Sequence, residues 1–223
     1  MDWKKYWNNN AQETAGDTMR QVQRRDIEST LLTVDHIIKK LNIQSSDEVL
    51  DVCCGNGILT QKISEKCNSI IGVDHSEELL KTANQEYSGT NISYIQSSAT
   101  NLSSTLGEKK FDKIYLQFSF QYFDKKGEGE KVISEMLKCL KPKGEIFIGD
   151  ITNFDKLSTF YYTTRLKFYY YRSTFLGTNT MGKFWKKSEL DTICKKLNVK
   201  GIFFDQPEDL PYSYYRFDYL IKN

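Results

Sequence analysis

The stretch Val49-Leu50-Asp51-Val52-Cys53-Cys54-Gly55-Asn56-Gly57-Ile58-Leu59-Thr60 constrains this chain more than any other, because it passes from an apolar strand through a glycine-bearing turn into a helix. The run from Glu48 to Cys54 is short and apolar, as a buried parallel strand is, and Gly55 and Gly57 let the backbone turn sharply and approach a ligand with no Cβ in the way. A second strand, Ser69-Ile70-Ile71-Gly72-Val73, ends at Asp74. A carboxylate at that place accepts hydrogen bonds from both hydroxyls of a ribose. Turn and acid together imply a nucleoside-containing cofactor.

The rest of the chain repeats the alternation. Ile27, Leu31, Val34, Ile37, Ile38 and Leu41 recur at three- and four-residue spacing, which predicts a helix from about Gln23 to Leu41. Ser76-Glu77-Glu78 opens another, with a hydroxyl cap and acids in the first turn. Further strands are expected at Asn91 to Ile95, Phe111 to Leu116 and Glu145 to Gly149, with a helix from about Glu128 to Leu140 before the last of these. An aromatic, helical segment is expected from Phe154 to Tyr171, a loop from Leu176 to Gly182, a helix from Ser188 to Leu197, and strands at Val199 to Asp205 and Ser213 to Ile221. Strands alternating with helices form a parallel sheet whose ligands bind beyond the carboxyl ends of the strands. Residues 54–57, 74–76, 96–99, 117–122 and 150 should therefore converge on one rim.

The pattern Asp51-x-x-x-Gly55-x-Gly57, with Asp74 closing the next strand and Leu140-Lys141-Pro142-Lys143-Gly144 opening a late one, resembles the class I S-adenosylmethionine-dependent methyltransferases. A dinucleotide-binding dehydrogenase usually has a third glycine where this chain has Thr60, which argues against a pyrophosphate ligand. The resemblance implies an α/β, Rossmann-like, seven-stranded and mostly parallel sheet with helices on both faces and an antiparallel hairpin at the carboxyl end. It divides one methyltransferase domain, residues 1–223, into a lid and helix (1–44), a cofactor-binding core (45–150), a substrate cover (151–198) and the hairpin (199–223). S-adenosylmethionine would be the cofactor and S-adenosylhomocysteine the product.

By the same resemblance Asp51 holds the glycine turn near the aminoacyl end of the cofactor, and Cys53 stands where the family often has glycine. His75 packs beside the adenosine. Ser98 occupies the place of an acid that meets the adenine amino group, and Ala99 offers its amide. Gln117 lies on the cofactor side, with Gln121 and Tyr122 facing the methyl acceptor. Tyr6 and Arg24 are similar to an entrance lid in which an aromatic and an arginine fold over the methionine end. Methyl transfer chiefly needs donor and acceptor aligned and water excluded. Where the acceptor is a hydroxyl, Asp150 or Tyr122 is the candidate for taking its proton.

Composition limits the partners. A net charge of +2 gives no support to a broad basic surface for nucleic acid. No apolar stretch is long enough to span a bilayer and the start of the chain lacks the apolar core of a signal peptide, so a soluble, cytoplasmic protein without a membrane partner is expected. Five cysteines without a C-x-x-C pair, and two histidines, make neither a disulfide framework nor a metal site. Between Ile151 and Lys196, nine basic residues stand against three acidic ones. That excess is either a solvated surface or a device for a small anionic acceptor such as a phosphorylated metabolite or surface-glycan precursor. Arg165 and Arg172, seven residues apart and so on one face of a helix, would then bind the acceptor. Transfer to oxygen and to nitrogen both remain open, as do an RNA or protein substrate and a non-catalytic, cofactor-binding partner subunit.

Overall fold

The computed structural model describes residues 1–23, 26–123 and 125–222. Helix α1 (Trp3–Glu13) and a single turn, α2 (Thr18–Gln21), precede the long helix α3 (Ile27–Leu41). Then come β1 (Glu48–Val52), α4 (Ile58–Ser64), β2 (Ser69–Asp74), α5 (Glu77–Glu86), β3 (Ile92–Gln96), α6 (Leu102–Leu106), β4 (Phe111–Gln117), α7 (Glu128–Lys138) and β5 (Leu140–Thr152). The chain closes with α8 (Leu157–Phe160), α9 (Thr164–Phe175), α10 (Lys187–Lys196), β6 (Lys200–Asp205) and β7 (Arg216–Lys222).

The seven strands form one sheet in the order β3-β2-β1-β4-β5-β7-β6. β1 to β5 are parallel, and β7 runs antiparallel between β5 and β6, as the hairpin reading anticipates. Successive strand residues face opposite sides. Leu50, Val52, Ile71, Val73, Ile146 and Ile148 therefore meet α6, α7 and α10 through Leu102, Val132, Met136 and Leu190. Val49, Ile70, Tyr115, Phe147 and Leu220 meet α3 and α4 through Val34, Ile37, Leu41, Ile58 and Ile63. With both faces covered, the edge at the carboxyl ends of the strands is left for a ligand.

Several boundaries move for local reasons. Helix α3 starts at Ile27, where the Asp26 carboxylate accepts from the Ser29 amide at 2.7 Å. Strand β5 begins at Leu140 and runs on to Thr152, longer than the expected Glu145 to Gly149. Pro142, left-handed Lys143 and Gly144 loop out where the register with β4 shifts. Beyond Gly149 a second shift at left-handed Asp150 lets Ile151 and Thr152 pair with β7. The aromatic segment is not one helix: it breaks at Tyr161 to Thr163, and the Thr163 hydroxyl caps α9 by accepting from the Leu166 amide at 3.2 Å.

Three non-glycine residues at the ends of neighbouring strands adopt the left-handed conformation: Cys53 after β1 (φ 62°), Phe118 after β4 (φ 61°) and Asp150 in β5 (φ 64°). Such backbone costs about 1–2 kcal/mol per residue and clusters where a site is being shaped. Cys53→Val, which adds a β-branch at that angle, should lower the unfolding free energy by about 1–2 kcal/mol. Cys53→Gly should leave it unchanged or raise it. Urea denaturation followed by circular dichroism checks this; equal losses for both variants would place the cost in the thiol's packing instead of the backbone.

Candidate functional site

The turn after β1 is built by exchange of backbone and side-chain groups with β2. Cys54 N donates to Val73 O at 3.0 Å, and Gly55 N donates to Asp74 Oδ2 at 2.9 Å. Asp74 Oδ1 accepts from Ser76 N at 2.9 Å, so one carboxylate spans the glycine turn and the start of α5. Ser76 Oγ in turn caps α5 by accepting from Leu79 N at 3.2 Å, with Glu77 and Glu78 in its first turn. A carboxylate carries about four acceptor sites, so two amides leave capacity for further donors. Gly55 (φ 59°) and Gly57 (φ 84°) are both left-handed. A Cβ on Gly57 would run into the Tyr94 hydroxyl, and one on Gly55 would come within 2.9 Å of Val22 Cγ1.

Asp51 is buried at the end of β1, and its Oδ2 accepts from Thr60 Oγ1 at 2.6 Å. Thr60, which replaces a glycine of the dinucleotide pattern, thus fixes this carboxylate. Burial and then the carboxylates of Asp74 and Asp51 push the Cys53 thiol well above its usual range; for Cys54 burial acts first and Asp51 next. Both stay protonated and neither is a nucleophile at neutral pH.

Over this rim lies a cavity of about 440 Å³, in the range that holds a cofactor-sized molecule. Asp51, Cys53, Gly55, Asp74, His75, Ser98, Ala99, Gln117 and Tyr122 all line it. Gly57 does not; it serves the turn and the start of α4. Three polar atoms of lining residues, Trp3 Nε1, His75 Nε2 and Gln117 Oε1, are buried without a hydrogen-bond partner. Buried polar atoms cost free energy unless paired, so the wall is chemically suited to a polar ligand.

The roof is α1. Trp3, Trp7 and Ala11 recur every fourth residue, and Trp7 and Ala11 pack with Leu79 and Tyr122. The ring of Tyr122 lies 4.3 Å from that of Trp3 and 5.7 Å from that of Trp7. Tyr6 is turned away from the cavity wall: it packs edge-on against both tryptophans, and its hydroxyl accepts from Gln23 Nε2 at 3.1 Å. Trp3 and Trp7 take the covering position, a role the spacing of tryptophans three and seven made visible but which the sequence reading gave to Tyr6. Arg24 lies outside the described residues. Asn56 Nδ2 latches the roof to the glycine turn by donating to Thr18 O at 2.7 Å and Gln21 Oε1 at 3.2 Å.

Other expected residues stand elsewhere. Gln121 is buried behind the wall, donating through Nε2 to Phe118 O at 2.8 Å, while its carbonyl accepts from Lys183 N at 2.8 Å. The Asp150 side chain points into a buried network. Its Oδ1 lies 3.6 Å from Arg216 Nε, and Asp218 joins Asp150 N at 2.9 Å, Gln206 Nε2 at 2.8 Å and His36 Nε2 at 2.6 Å. Burial opposes the charge on Arg216, but Asp150 and the nearby tyrosines outweigh it and raise its pKa. Its guanidinium lies 4.3 Å from the Phe118 ring centre, so it meets left-handed Phe118 after β4 as well as left-handed Asp150 in β5. Tyr122 does face the cavity, yet burial drives its phenol far above neutral despite the nearby Arg216 charge. It is a hydrogen-bond donor, not a base. Arg165 and Arg172 share the exposed face of α9 and contribute nothing to the cavity wall. Tyr161 and Tyr170 are buried against each other at 5.0 Å, whereas Tyr162, Tyr169 and Tyr171 are exposed. Among the described residues no group of histidine, cysteine and carboxylate side chains is placed to hold a metal.

Residues 49–144 match the family model described as a methyltransferase domain. An uncharacterized methyltransferase of Schizosaccharomyces pombe is 27% identical over 128 residues, covering 57% of this chain and 48% of that protein. The chain spans about half the length of the fission-yeast relatives it matches. A ubiquinone biosynthesis O-methyltransferase of Pelagibacter ubique is 28% identical over 173 residues, 74% of this chain and 69% of its own. Among solved structures, the N-methyltransferase NodS of Bradyrhizobium japonicum in complex with S-adenosyl-L-homocysteine superposes with a TM-score of 0.69 at 13% identity, covering 100% of this chain and 99% of that one. That likeness is one of fold.

Asn56→Ala would leave Thr18 O and Gln21 Oε1 without their donor, a loss of about 1–3 kcal/mol. We expect it to loosen α1 and α2 selectively. Hydrogen exchange should then quicken across residues 3–21 while β1 and β4 keep their protection; uniform quickening would mean that Asn56 supports the whole fold.

Proposed function

Since the chain belongs to the class I S-adenosylmethionine-dependent methyltransferases, we propose that it transfers a methyl group from S-adenosylmethionine to the oxygen or nitrogen of a small molecule. The observation that carries this reading is the shared carboxylate of Asp74, on the cavity wall and tied to the glycine turn. When bound, the cofactor supplies a methyl group already activated by a positively charged sulfur. In this reading Asp74 takes the ribose hydroxyls, Ser98, Ala99 and His75 take the adenine side, and Asp51 and Gln117 border the aminoacyl end. Trp3 and Trp7 exclude water from above, a requirement for displacement at carbon.

Tyr122, protonated and facing the cavity, donates a hydrogen bond to orient the acceptor. With Asp150 committed to Arg216 and Tyr122 protonated, this reading takes no proton through either residue, which favours an acceptor that needs little help in losing one: a neutral amine or an acidic hydroxyl such as a phenol. An anionic acceptor finds support in Lys4 on the cavity wall, more than in Lys125, whose ammonium lies 3.9 Å from Glu128. Arg165 and Arg172 are set aside from acceptor binding on their position alone.

Isothermal titration with S-adenosylhomocysteine tests the reading. Wild-type protein should bind, and Asp74→Asn, which keeps one acceptor oxygen for the turn, should weaken binding about 10- to 100-fold through loss of charge-assisted hydrogen bonds. Binding unchanged in a folded Asp74→Asn protein would overturn the site. A panel of amines, phenols and phosphorylated metabolites, read by formation of S-adenosylhomocysteine, should then reveal the acceptor class. On whatever acceptor turns over, Tyr122→Phe should lower kcat at unchanged cofactor affinity and should not shift the pH profile between about pH 6 and 9, because the phenol does not ionise there.

A further inference from the structure

Helix α9 is apolar on two opposite sides. Its inner stripe, Tyr170 and Ser173 with half-buried Leu166, packs into a cluster with Leu157, Tyr161, Phe184 and Tyr215. Opposite that stripe, Phe168 is 68% exposed and Phe175 is 90% exposed, seven residues apart and hence on one face. Leu176, 53% exposed, extends the ridge at its carboxyl end. Isolated apolar side chains on a surface are ordinary, but a contiguous apolar ridge of this kind marks a contact surface.

The charge along the chain on either side of the ridge is of one sign. Arg165 and Arg172 run alongside the two phenylalanines, and residues 156–188 contain seven basic residues and no acidic one. Neither arginine pairs with a carboxylate among the described residues. A convex ridge of phenylalanines edged by arginines does not form the groove that tracks a nucleic-acid backbone. It is the profile of a helix lying in a bilayer interface, with aromatics below the headgroups and long cationic side chains reaching up to anionic lipid. No helix among the described residues is long and apolar enough to cross a membrane, so the contact is peripheral. Gly177, just past the end of the ridge, lies near Met1, which lines the cavity.

We propose that the outer face of α9 docks this protein on an anionic lipid bilayer, with Phe168 and Phe175 inserted at the interface and Arg165 and Arg172 paired with lipid headgroups. This holds whatever the methyl acceptor is.

Sedimentation with large vesicles of phosphatidylcholine, with or without phosphatidylglycerol, tests it on the full chain. The protein should sediment with the mixed vesicles, remain in solution with pure phosphatidylcholine, and be released by raised salt. Arg165→Gln with Arg172→Gln should cut partitioning roughly 25-fold, about fivefold for each charge. Phe168→Ser with Phe175→Ser should cut it by roughly tenfold for each ring withdrawn from the apolar phase. All four side chains are exposed, so the thermal midpoint should hold. Independently of those variants, Phe175→Trp should show blue-shifted emission on mixed vesicles only. Absence of binding to mixed vesicles, or binding unmoved by both double substitutions, would overturn the proposal. So would a dimer in vesicle-free solution that the phenylalanine substitutions dissociate, or RNA binding that the arginine substitutions abolish without any vesicle binding.

Discussion

One carboxylate holds the site in register. Asp74 accepts from the amides of Gly55 and Ser76, both at 2.9 Å, and so ties the turn after β1 to the end of β2 and to the start of α5. Amide hydrogen bonds to a charged acceptor contribute about 1.5–3 kcal/mol each, and here they act where the backbone must take left-handed angles at Cys53, Gly55 and Gly57 in close succession. A carboxylate so held has little freedom to lose when a ligand arrives, which is the physical content of preorganisation. The cavity follows from this fixation: Asp51 is fixed by Thr60 on one side of the turn, His75 stands beside Asp74 on the other, and α5 presents Leu79 to the roof.

A second device supports the opposite half of the rim. Left-handed Phe118 follows β4 and left-handed Asp150 lies at the bulge in β5, and the buried guanidinium of Arg216 meets both, one through the ring face and the other through carbonyl and carboxylate. A buried ion pair is no simple source of stability, because desolvation offsets much of its attraction. Its value here is geometric. Arg216 comes from β7, so the antiparallel insertion that ends the sheet also sets the conformation of the strand ends that border the cavity. Asp218, next but one on the same strand, extends the network to His36 and so to α3 on the far face.

The parts of the fold that were legible in the sequence are those governed by local rules. Strand and helix alternate visibly because buried parallel strands are short apolar runs, and Ser76 with Glu77 and Glu78 announces α5 through the chemistry of a helix start. Cys53 was legible as a departure from glycine, and its φ of 62° explains why glycine is common there. The directions of side chains at the rim were not legible. Asp150 lies within β5 instead of after it, at a bulge that turns its carboxylate toward Arg216, 66 residues away in sequence, and no local pattern encodes that partner. Tyr6 and Trp7 are sequence neighbours, so a helix necessarily sends them to different faces; only the four-residue spacing of Trp3, Trp7 and Ala11 tells which face is covered. Arg165 and Arg172 were rightly seen as sharing a face, yet the periodicity of α9 is ambiguous because apolar residues occupy both its sides.

That ambiguity has a physical consequence for how the cavity is approached. The cavity is bounded by α1, whose contacts to the body run through aromatic packing on Leu79 and Tyr122, through the bond from Ser76 Oγ to Asn8 Oδ1 at 2.6 Å and, by way of α2, through the Asn56 latch. Elements held by a few side-chain contacts open at lower free energy than the strands beneath them. The sheet can therefore keep Asp51, Asp74 and Gln117 in fixed relation while the helix above them gives way. Since α1 carries Trp3 and Trp7, movement of this helix would, on the proposed function, both admit the cofactor and let water reach the strand ends. On that reading binding and water exclusion depend on one helix while positioning depends on the sheet, and the separation lets the first vary without disturbing the second.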